Sequence, residues 1–152
     1  MAVEGVWQWS QQNNHDLINP NYYPRVKKSE LFDYEYIARY SGHTRGSTVD
    51  LTIVPMNSDP ATSHALAKYI ACYADYALRQ NDNSLDMGTN FDCLDPLSYA
   101  DNQQIPAQAQ KNRRLLRQAM QKYGFLPYRF EWWHFTLKNE PYPQQYFNFP
   151  VQ

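Results

Sequence analysis

Two separated segments of the chain contain the residue types of a catalytic zinc site. The first has His43 and Asp50, and the second has Glu131 and His134. Catalytic zinc sites use three protein ligands and leave an open position for water, beside which a general base can act. Structural zinc sites are usually closed by four ligands and rely on cysteine, of which this chain has only two. If the segments meet in space, they form either a catalytic zinc centre or the zinc site of a protein that descends from such an enzyme and no longer catalyses its reaction.

The spacing of these residues permits a shared site without requiring one. His43 and Asp50 are an odd number of positions apart, which would place them on opposite faces of one continuous strand. A loop through Gly46 would turn His43 back towards Asp50. Glu131 and His134 are also an odd number of positions apart, so one continuous strand would place them on opposite faces. A turn or bulge at Glu131 would bring both to one side. Asp50 lies among apolar residues, so its carboxylate needs a cation or strong donors.

The hydrophobic pattern predicts the elements that must position these side chains. Residues 48–54 alternate as a strand that ends at Pro55, and residues 130–137 form a second, aromatic strand. In the helix predicted over residues 108–123, the pattern places Leu115, Leu116, Ala119 and Met120 on the inward face. Gly124 is in the usual position to end this helix. Helices are predicted over residues 3–12, 61–80 and 108–123, and extended chain over residues 141–151.

Size and charge exclude several classes of protein. At 152 residues the chain is long enough for one domain with a substantial core. Its formal net charge of −1 gives no reason to expect nucleic acid or an anionic membrane as a partner. No apolar run is long enough to span a membrane. The basic residues Arg113, Arg114 and Arg117 follow a helical pattern, which favours a solvated helix face over a nucleic-acid patch.

The cysteines and the amino terminus bear on the cellular compartment. Cys72 and Cys93 are the two cysteines, and we interpret them as small buried hydrophobic residues rather than a bridge, although a bridge stays open. A signal peptide begins with a basic region followed by an apolar run, and the first residues of this sequence do not show that pattern. These features favour the cytoplasm, with the periplasm as the alternative if a signal precedes this sequence.

Four motifs occur in an order that is typical of one family. They are Ser41-x-His43-x-x-Gly46-x-Thr48-x-Asp50, Met87-Gly88-Thr89-x-Phe91-Asp92, Glu131-x-x-His134 and Pro141-Tyr142-Pro143 followed by Tyr146-Phe147-x-Phe149-Pro150. With these motifs the chain resembles D-alanyl-D-alanine dipeptidases of the VanX type. They belong to a zinc-peptidase group that includes D-Ala-D-Ala carboxypeptidases and the hedgehog signalling domain. The resemblance covers nearly the whole chain and implies an α+β fold, in which a small, mostly antiparallel sheet carries the zinc site and helices flank it.

The resemblance also implies a role for each site residue. The zinc ligands would be His43, Asp50 and His134. Glu131 would be the catalytic base, which takes a proton from the attacking water and passes it to the leaving D-alanine amine. Asp92 would pair with the ammonium group of the dipeptide, which would restrict the substrate to dipeptides. Ser41 would donate a hydrogen bond near the substrate carboxylate.

The chain departs from the family pattern in three places. Thr48 stands where family members have alanine, and the region near residues 57–84 looks like a helical insertion in an otherwise single domain of residues 1–152. In the family a Tyr-Arg-Pro segment upstream of the first helix supplies an arginine that stabilises the oxyanion, and this sequence begins at that helix. Arg25 and Arg45 are the nearest basic candidates to replace it.

Three interpretations follow from these departures. The first is a zinc D-Ala-D-Ala dipeptidase whose turnover is slowed by the missing arginine, because loss of one oxyanion donor costs about 10²–10³ in rate. The second is a catalytically weak zinc-binding homologue that acts as a peptide-binding or structural module. The third is a shortened form of an ordinary enzyme, whose exposed core surface could pair in a homo-oligomer.

Overall fold

A computed structural model describes residues 2–12, 16–57, 70–80 and 83–148 of the chain. Two α-helices and three β-strands are described, and the predicted α+β class is confirmed. The chain order is helix α1 (Ala2–Gln11), strand β1 (Thr48–Asp50), helix α2 (Ala107–Lys122), strand β2 (Phe125–Pro127) and strand β3 (His134–Leu137). Short 3₁₀ helices lie at Lys28–Glu30, Gly42–Arg45 and Pro96–Ser98.

The three strands form one antiparallel sheet in the order β1-β3-β2. Both predicted strands contribute to it, but each is shorter than expected, since β1 ends at Asp50 and β3 begins only at His134. Strand β2 was not predicted, because its three residues are too few for a visible alternation. It lies at the edge of the sheet, where Pro127 lacks a donor without disrupting the ladder.

Helix α2 has the predicted position, and its buried face overlaps the predicted one, since Met120 packs on the core as expected. Leu116 is buried as expected, whereas Leu115 is 53% exposed. The buried residues are Ala109, Asn112, Arg113 and Leu116, which lie on the same side of the helix as Leu116 and Met120 of the predicted stripe. The expected inward position of Ala119 is also wrong, because that residue is exposed.

Arg113 corrects the prediction of a solvated basic face. Its guanidinium is buried and donates hydrogen bonds to the carbonyl oxygens of Met87 (2.7 Å), Leu97 (2.9 Å) and Tyr99 (2.8 Å). Burial of an arginine is stable only when its donors are satisfied, and three backbone carbonyls satisfy them here. Arg113 therefore fixes α2 to the loop of residues 87–99, whereas the side chain of the neighbouring Arg114 is exposed.

The predicted helix over residues 61–80 is wrong for its second half. Residues 70–80 form turns, and residues 61–69 lie outside the described residues. The backbone N–H of Cys72 donates to the carbonyl of Pro20 (2.8 Å) instead of bonding within a helix. Arg79 forms a buried ion pair with Asp86. These contacts with residues outside the predicted helix override the helix propensity of the local sequence. Within the described residues, no helix combines the length and apolar character that a membrane crossing needs.

The interpretation of Cys72 and Cys93 as separate hydrophobic residues is also wrong. They form a disulfide, with Cα atoms 5.6 Å apart and both side chains buried. The sequence could not predict this bridge, because the pairing depends on how two separate segments pack. They lie side by side here, where the Asn90 N–H donates to the Cys72 carbonyl (2.8 Å).

The core consists of two clusters that border one cavity. The first cluster lies under the sheet and contains Met87, Leu116, Trp132, Trp133 and Phe135. The second is built by the loops of the first third of the chain and contains Tyr23, Val26, Leu31 and Tyr36. A cavity of about 870 Å³ is lined by residues of both clusters and by the ends of β1 and β3.

Candidate metal centre

The turn before β1 determines where the first histidine points. Ser41 caps the short helix Gly42–Arg45, since its hydroxyl oxygen accepts a hydrogen bond from the His43 backbone N–H (3.2 Å). Gly46 ends the helix in a left-handed conformation with φ of 76°, which few residues other than glycine adopt without strain. Gly42 packs so closely that a Cβ there would lie 2.4 Å from the Thr48 hydroxyl oxygen. The turn that the spacing required is therefore formed by Ser41, Gly42 and Gly46.

The register of the sheet brings the second histidine to the same place. Asp50 and His134 are direct partners in the antiparallel pair of β1 and β3. The two carboxylate oxygens of Asp50 lie 3.3 Å from His43 Nε2 and 3.1 Å from His134 Nδ1. The imidazole rings are 4.8 Å apart between centroids. One potential ligand atom from each of the three residues lies within 4.8 Å of the other two.

Glu131 lies beside this cluster rather than at its centre. A turn over residues 131–133 precedes β3, and it places the Glu131 carboxylate 3.2 Å from His134 Nδ1. The side chain is almost completely buried, with 8% of its surface exposed. Burial raises the pKa of Glu131, and this effect exceeds the lowering by His134. The turn resolves the question of strand faces that the sequence left open.

The pKa values of Asp50 and His134 reflect their mutual pairing. Burial raises the pKa of Asp50, but its hydrogen bonds with His134 and His43 outweigh this and lower the pKa to about 2. Burial lowers the pKa of His134, but the carboxylates of Asp50 and Glu131 outweigh this and raise the pKa to about 9. In the protein alone, an ionised Asp50 thus holds a proton on His134 at neutral pH.

Asp92 faces the same cavity from the loop before the Pro96–Ser98 helix. It lies at the mouth of the cavity, where partial withdrawal from water and the negative charges of Asp50 and Glu131 raise its pKa to about 6. Its backbone has a φ of 58°, an unusual value for a residue other than glycine. Ser41 also lines the cavity, and its hydroxyl retains a proton to donate.

The donor set fits a zinc ion. Two imidazole nitrogens and one carboxylate oxygen are the ligand types that catalytic zinc uses. Burial is the main cause of the raised pKa of Asp92, and the negative charges of Asp50 and Glu131 raise it further. A cation bound between the ligands would offset these negative charges. Tyr128 packs its ring 5.0 Å from the ring of His134, which holds that imidazole in place.

Sequence reasoning did not identify the tyrosines that line the cavity. Tyr22, Tyr36, Tyr40 and Tyr128 line it together with the predicted site residues. Tyrosine suits this position, because its ring forms an apolar wall and its hydroxyl can bond to a polar ligand. The high tyrosine content, 13 residues, was the available signal, but it does not show which tyrosines face the site.

The two arginines considered as oxyanion donors are each bound to a carboxylate. Arg25 lies 3.1 Å from Asp95 and stacks over the ring of Tyr73. Arg45 lines the cavity, but its guanidinium forms a two-point ion pair with Glu140, at 2.6 and 2.8 Å. These pairs direct both guanidinium groups to structural partners.

Comparison with known proteins shows which family the chain belongs to. The model of the D-Ala-D-Ala dipeptidase family matches residues 54–152. Proteins named D-alanyl-D-alanine dipeptidase from Streptomyces coelicolor and Enterococcus faecalis are 38% and 37% identical to the chain over 150 residues. One from Enterococcus faecium is 33% identical over 151 residues. Each alignment covers 99% of this chain and 63% of the relative, so the chain spans less than two thirds of these proteins. The resemblance seen in the motifs is confirmed, and the chain belongs to the D-Ala-D-Ala dipeptidase family of peptidases.

Proposed function

We propose that the chain is a zinc-dependent hydrolase of the dipeptide D-Ala-D-Ala, with His43, Asp50 and His134 as the metal ligands. The observation that carries the proposal is the convergence of these three side chains, with Glu131 beside them, in a member of a dipeptidase family. When bound, zinc would polarise the scissile carbonyl and make water more acidic.

Glu131 is suited to move the proton of this reaction. Burial moves the pKa of its carboxyl group upward, towards neutral pH. A group whose pKa is near the working pH can both accept and return a proton. In hydrolysis it takes a proton from the attacking water and gives it to the amine that leaves when the peptide bond breaks. In the protein alone, the carboxylate lies 3.2 Å from His134 Nδ1, which places it beside the proposed metal ligands.

Asp92 and Ser41 would orient the dipeptide between its two charged ends. An ionised Asp92 at the cavity mouth attracts the substrate ammonium, and the Ser41 hydroxyl donates to the substrate carboxylate. Peptides with a blocked amine lack the partner for Asp92. We therefore expect the chain to select dipeptides with a free amine. We also expect residues 1–152 to form a single domain.

We also propose that the chain works in an oxidising compartment such as the periplasm. The buried disulfide between Cys72 and Cys93 supports this location over the cytoplasm that the sequence favoured, because reducing compartments keep thiols reduced. The homo-oligomer considered from sequence stays a prediction, which sedimentation at several protein concentrations would test.

The direct test is hydrolysis by the purified, zinc-loaded chain. D-Ala-D-Ala should be cleaved to D-alanine, and removal of the metal with a chelator should stop the reaction until zinc is restored. N-acetyl-D-Ala-D-Ala should be a poor substrate, because acetylation removes the ammonium. If zinc loads stoichiometrically and no D-alanine is released, the proposed activity is wrong, and a peptide-binding role becomes the better account.

A further inference from the structure

The conformation of Asp92 requires support from its surroundings. A φ of 58° places this residue in the left-handed region, which residues other than glycine adopt only at a cost in backbone energy. Such a conformation persists only where the neighbouring structure holds the backbone in place. Because the Asp92 carboxylate faces the cavity that contains the candidate metal ligands, whatever holds this backbone also determines where the carboxylate lies.

The residues on both sides of Asp92 are fixed. Before it, the Asn90 N–H donates to the Cys72 carbonyl (2.8 Å), and the Cys93 N–H donates back to the Asn90 carbonyl (3.3 Å). After it, Cys93 is bonded through sulfur to Cys72, and the Leu94 N–H donates to the carbonyl of Tyr22 (2.6 Å). Cys93 is completely buried and Cys72 almost so, so the bridge is enclosed by the packed loop.

Cys72 is in turn anchored to the wall of the cavity. Its N–H donates to the carbonyl of Pro20 (2.8 Å), just before Tyr22 and Tyr23, which line the cavity. The next residue, Tyr73, lies under the guanidinium of Arg25 at 4.1 Å. The bridge thus connects the residue that follows Asp92 to a segment that is fixed on the cavity wall.

We propose that the Cys72–Cys93 disulfide is a positioning element for substrate binding, which holds the Asp92 carboxylate where the ammonium group of the dipeptide binds. The inference rests on the proposed function, since it assigns Asp92 to that ammonium group. The backbone hydrogen bonds of Cys72 and Cys93 lead to Pro20 and Asn90 rather than to the metal ligands. Loss of the bridge should therefore weaken substrate binding and leave the metal in place.

The test compares the intact chain with the Cys72→Ser/Cys93→Ser double variant. Loss of the bridge should raise KM for D-Ala-D-Ala roughly tenfold, with kcat and zinc content close to those of the intact chain. The control is Leu116→Ala, which loosens the core under the sheet but leaves the bridge intact. Leu116→Ala should lower the Tm without raising KM.

Asp92→Asn distinguishes positioning from general stabilisation when it is combined with the bridge variant. If the bridge acts through Asp92, Asp92→Asn should add little to KM once the bridge is absent, so the two effects are not additive. If the two effects multiply, or if KM stays unchanged without the bridge, the inference is wrong while the proposed function stands. If the intact chain does not hydrolyse the dipeptide, the proposed function itself fails, and the inference fails with it.

Two further measurements keep the test decisive. Alkylation of the unfolded chain without reductant, followed by mass spectrometry, should modify neither cysteine, and two modified thiols would overturn the proposal. If the serine variant does not fold, Cys72→Ala/Cys93→Val retains apolar side chains at both buried positions and should show the same rise in KM. A KM equal to that of the intact chain in this variant would also overturn the proposal.

Discussion

The two sides of the site are built by different means. The ligand side, residues 41–50 and 131–137, is fixed by a capped turn and by the register of two paired strands. The substrate side, residues 87–95, contains no strand and is held by hydrogen bonds to distant loops and by the disulfide to Cys72. A capped turn and a pair of hydrogen-bonded strands thus position the metal ligands, whereas loop contacts and a disulfide position Asp92. Changes on the first side should affect metal and chemistry, and changes on the second should affect substrate binding.

Replacing the base on the ligand side should have the largest effect. Glu131→Gln retains the size of the side chain but cannot accept a proton, so we expect kcat to fall by about 10²–10⁴-fold while zinc content stays at one per chain. Steady-state kinetics and metal analysis measure both quantities. Glu4→Gln on the exposed face of α1 is the matched control and should change neither. A Glu131→Gln variant that keeps its rate would remove Glu131 from the chemistry.

The pH dependence of zinc binding tests the pairing of Asp50 with His134. In chelator-treated protein the pKa of His134 is about 9, so the ring is protonated at pH 7 and must lose its proton to bind zinc. Apparent zinc affinity should therefore rise with pH, by about tenfold per unit between pH 6 and 8. Calorimetry in two buffers of different ionisation enthalpy should detect the release of about one proton per zinc. Binding without proton release would contradict the assignment of His134.

Asp92→Asn should alter the substrate side alone. We expect KM for D-Ala-D-Ala to rise by about tenfold or more, because a charged hydrogen bond is lost, with zinc content unchanged. The pKa of Asp92 is about 6 in the protein alone, and a bound cation would lower it. For the intact, zinc-loaded chain, KM should therefore rise as the pH falls below about 6, since protonated Asp92 carries no charge. The same titration of Asp92→Asn should lack this rise, and an identical pH profile would show that Asp92 does not bind the ammonium.

The ion pair of Arg45 with Glu140 offers a milder perturbation of the ligand side. It joins the helix that contains His43 to the C-terminal segment, and the Phe147 N–H adds a hydrogen bond to the carbonyl of Thr44 (2.7 Å). Glu140→Gln should weaken zinc binding by a few-fold, because His43 becomes less well held. Asp101→Asn, which breaks the more exposed pair with Arg117, is the control and should not change zinc affinity. Equal zinc affinity in both variants would show that the C-terminal segment does not support His43.

The same contrast explains what the sequence could predict. The spacing left the pairing of Asp50 with His134 open. His43 and Asp50 lie in one motif whose cap and glycines specify a turn, and Asp50 lies on a strand with readable alternation. Propensity and periodicity act over a few residues, so these features were visible. The turns of residues 70–80, the bridge to Cys93 and the burial of Arg113 depend on contacts with segments far away in the sequence. Such contacts override local preference, and no short pattern encodes them.

The central claim is that His43, Asp50 and His134 hold one metal ion, and X-ray absorption at the zinc edge tests it most directly. The zinc-loaded chain should show only nitrogen and oxygen neighbours at about 2.0–2.2 Å, with the multiple scattering of two imidazoles. In His134→Ala, zinc should be lost or one imidazole contribution should disappear. A sulfur neighbour at about 2.3 Å, which would place zinc on Cys72 or Cys93, would contradict the account, as would an unchanged spectrum in His134→Ala.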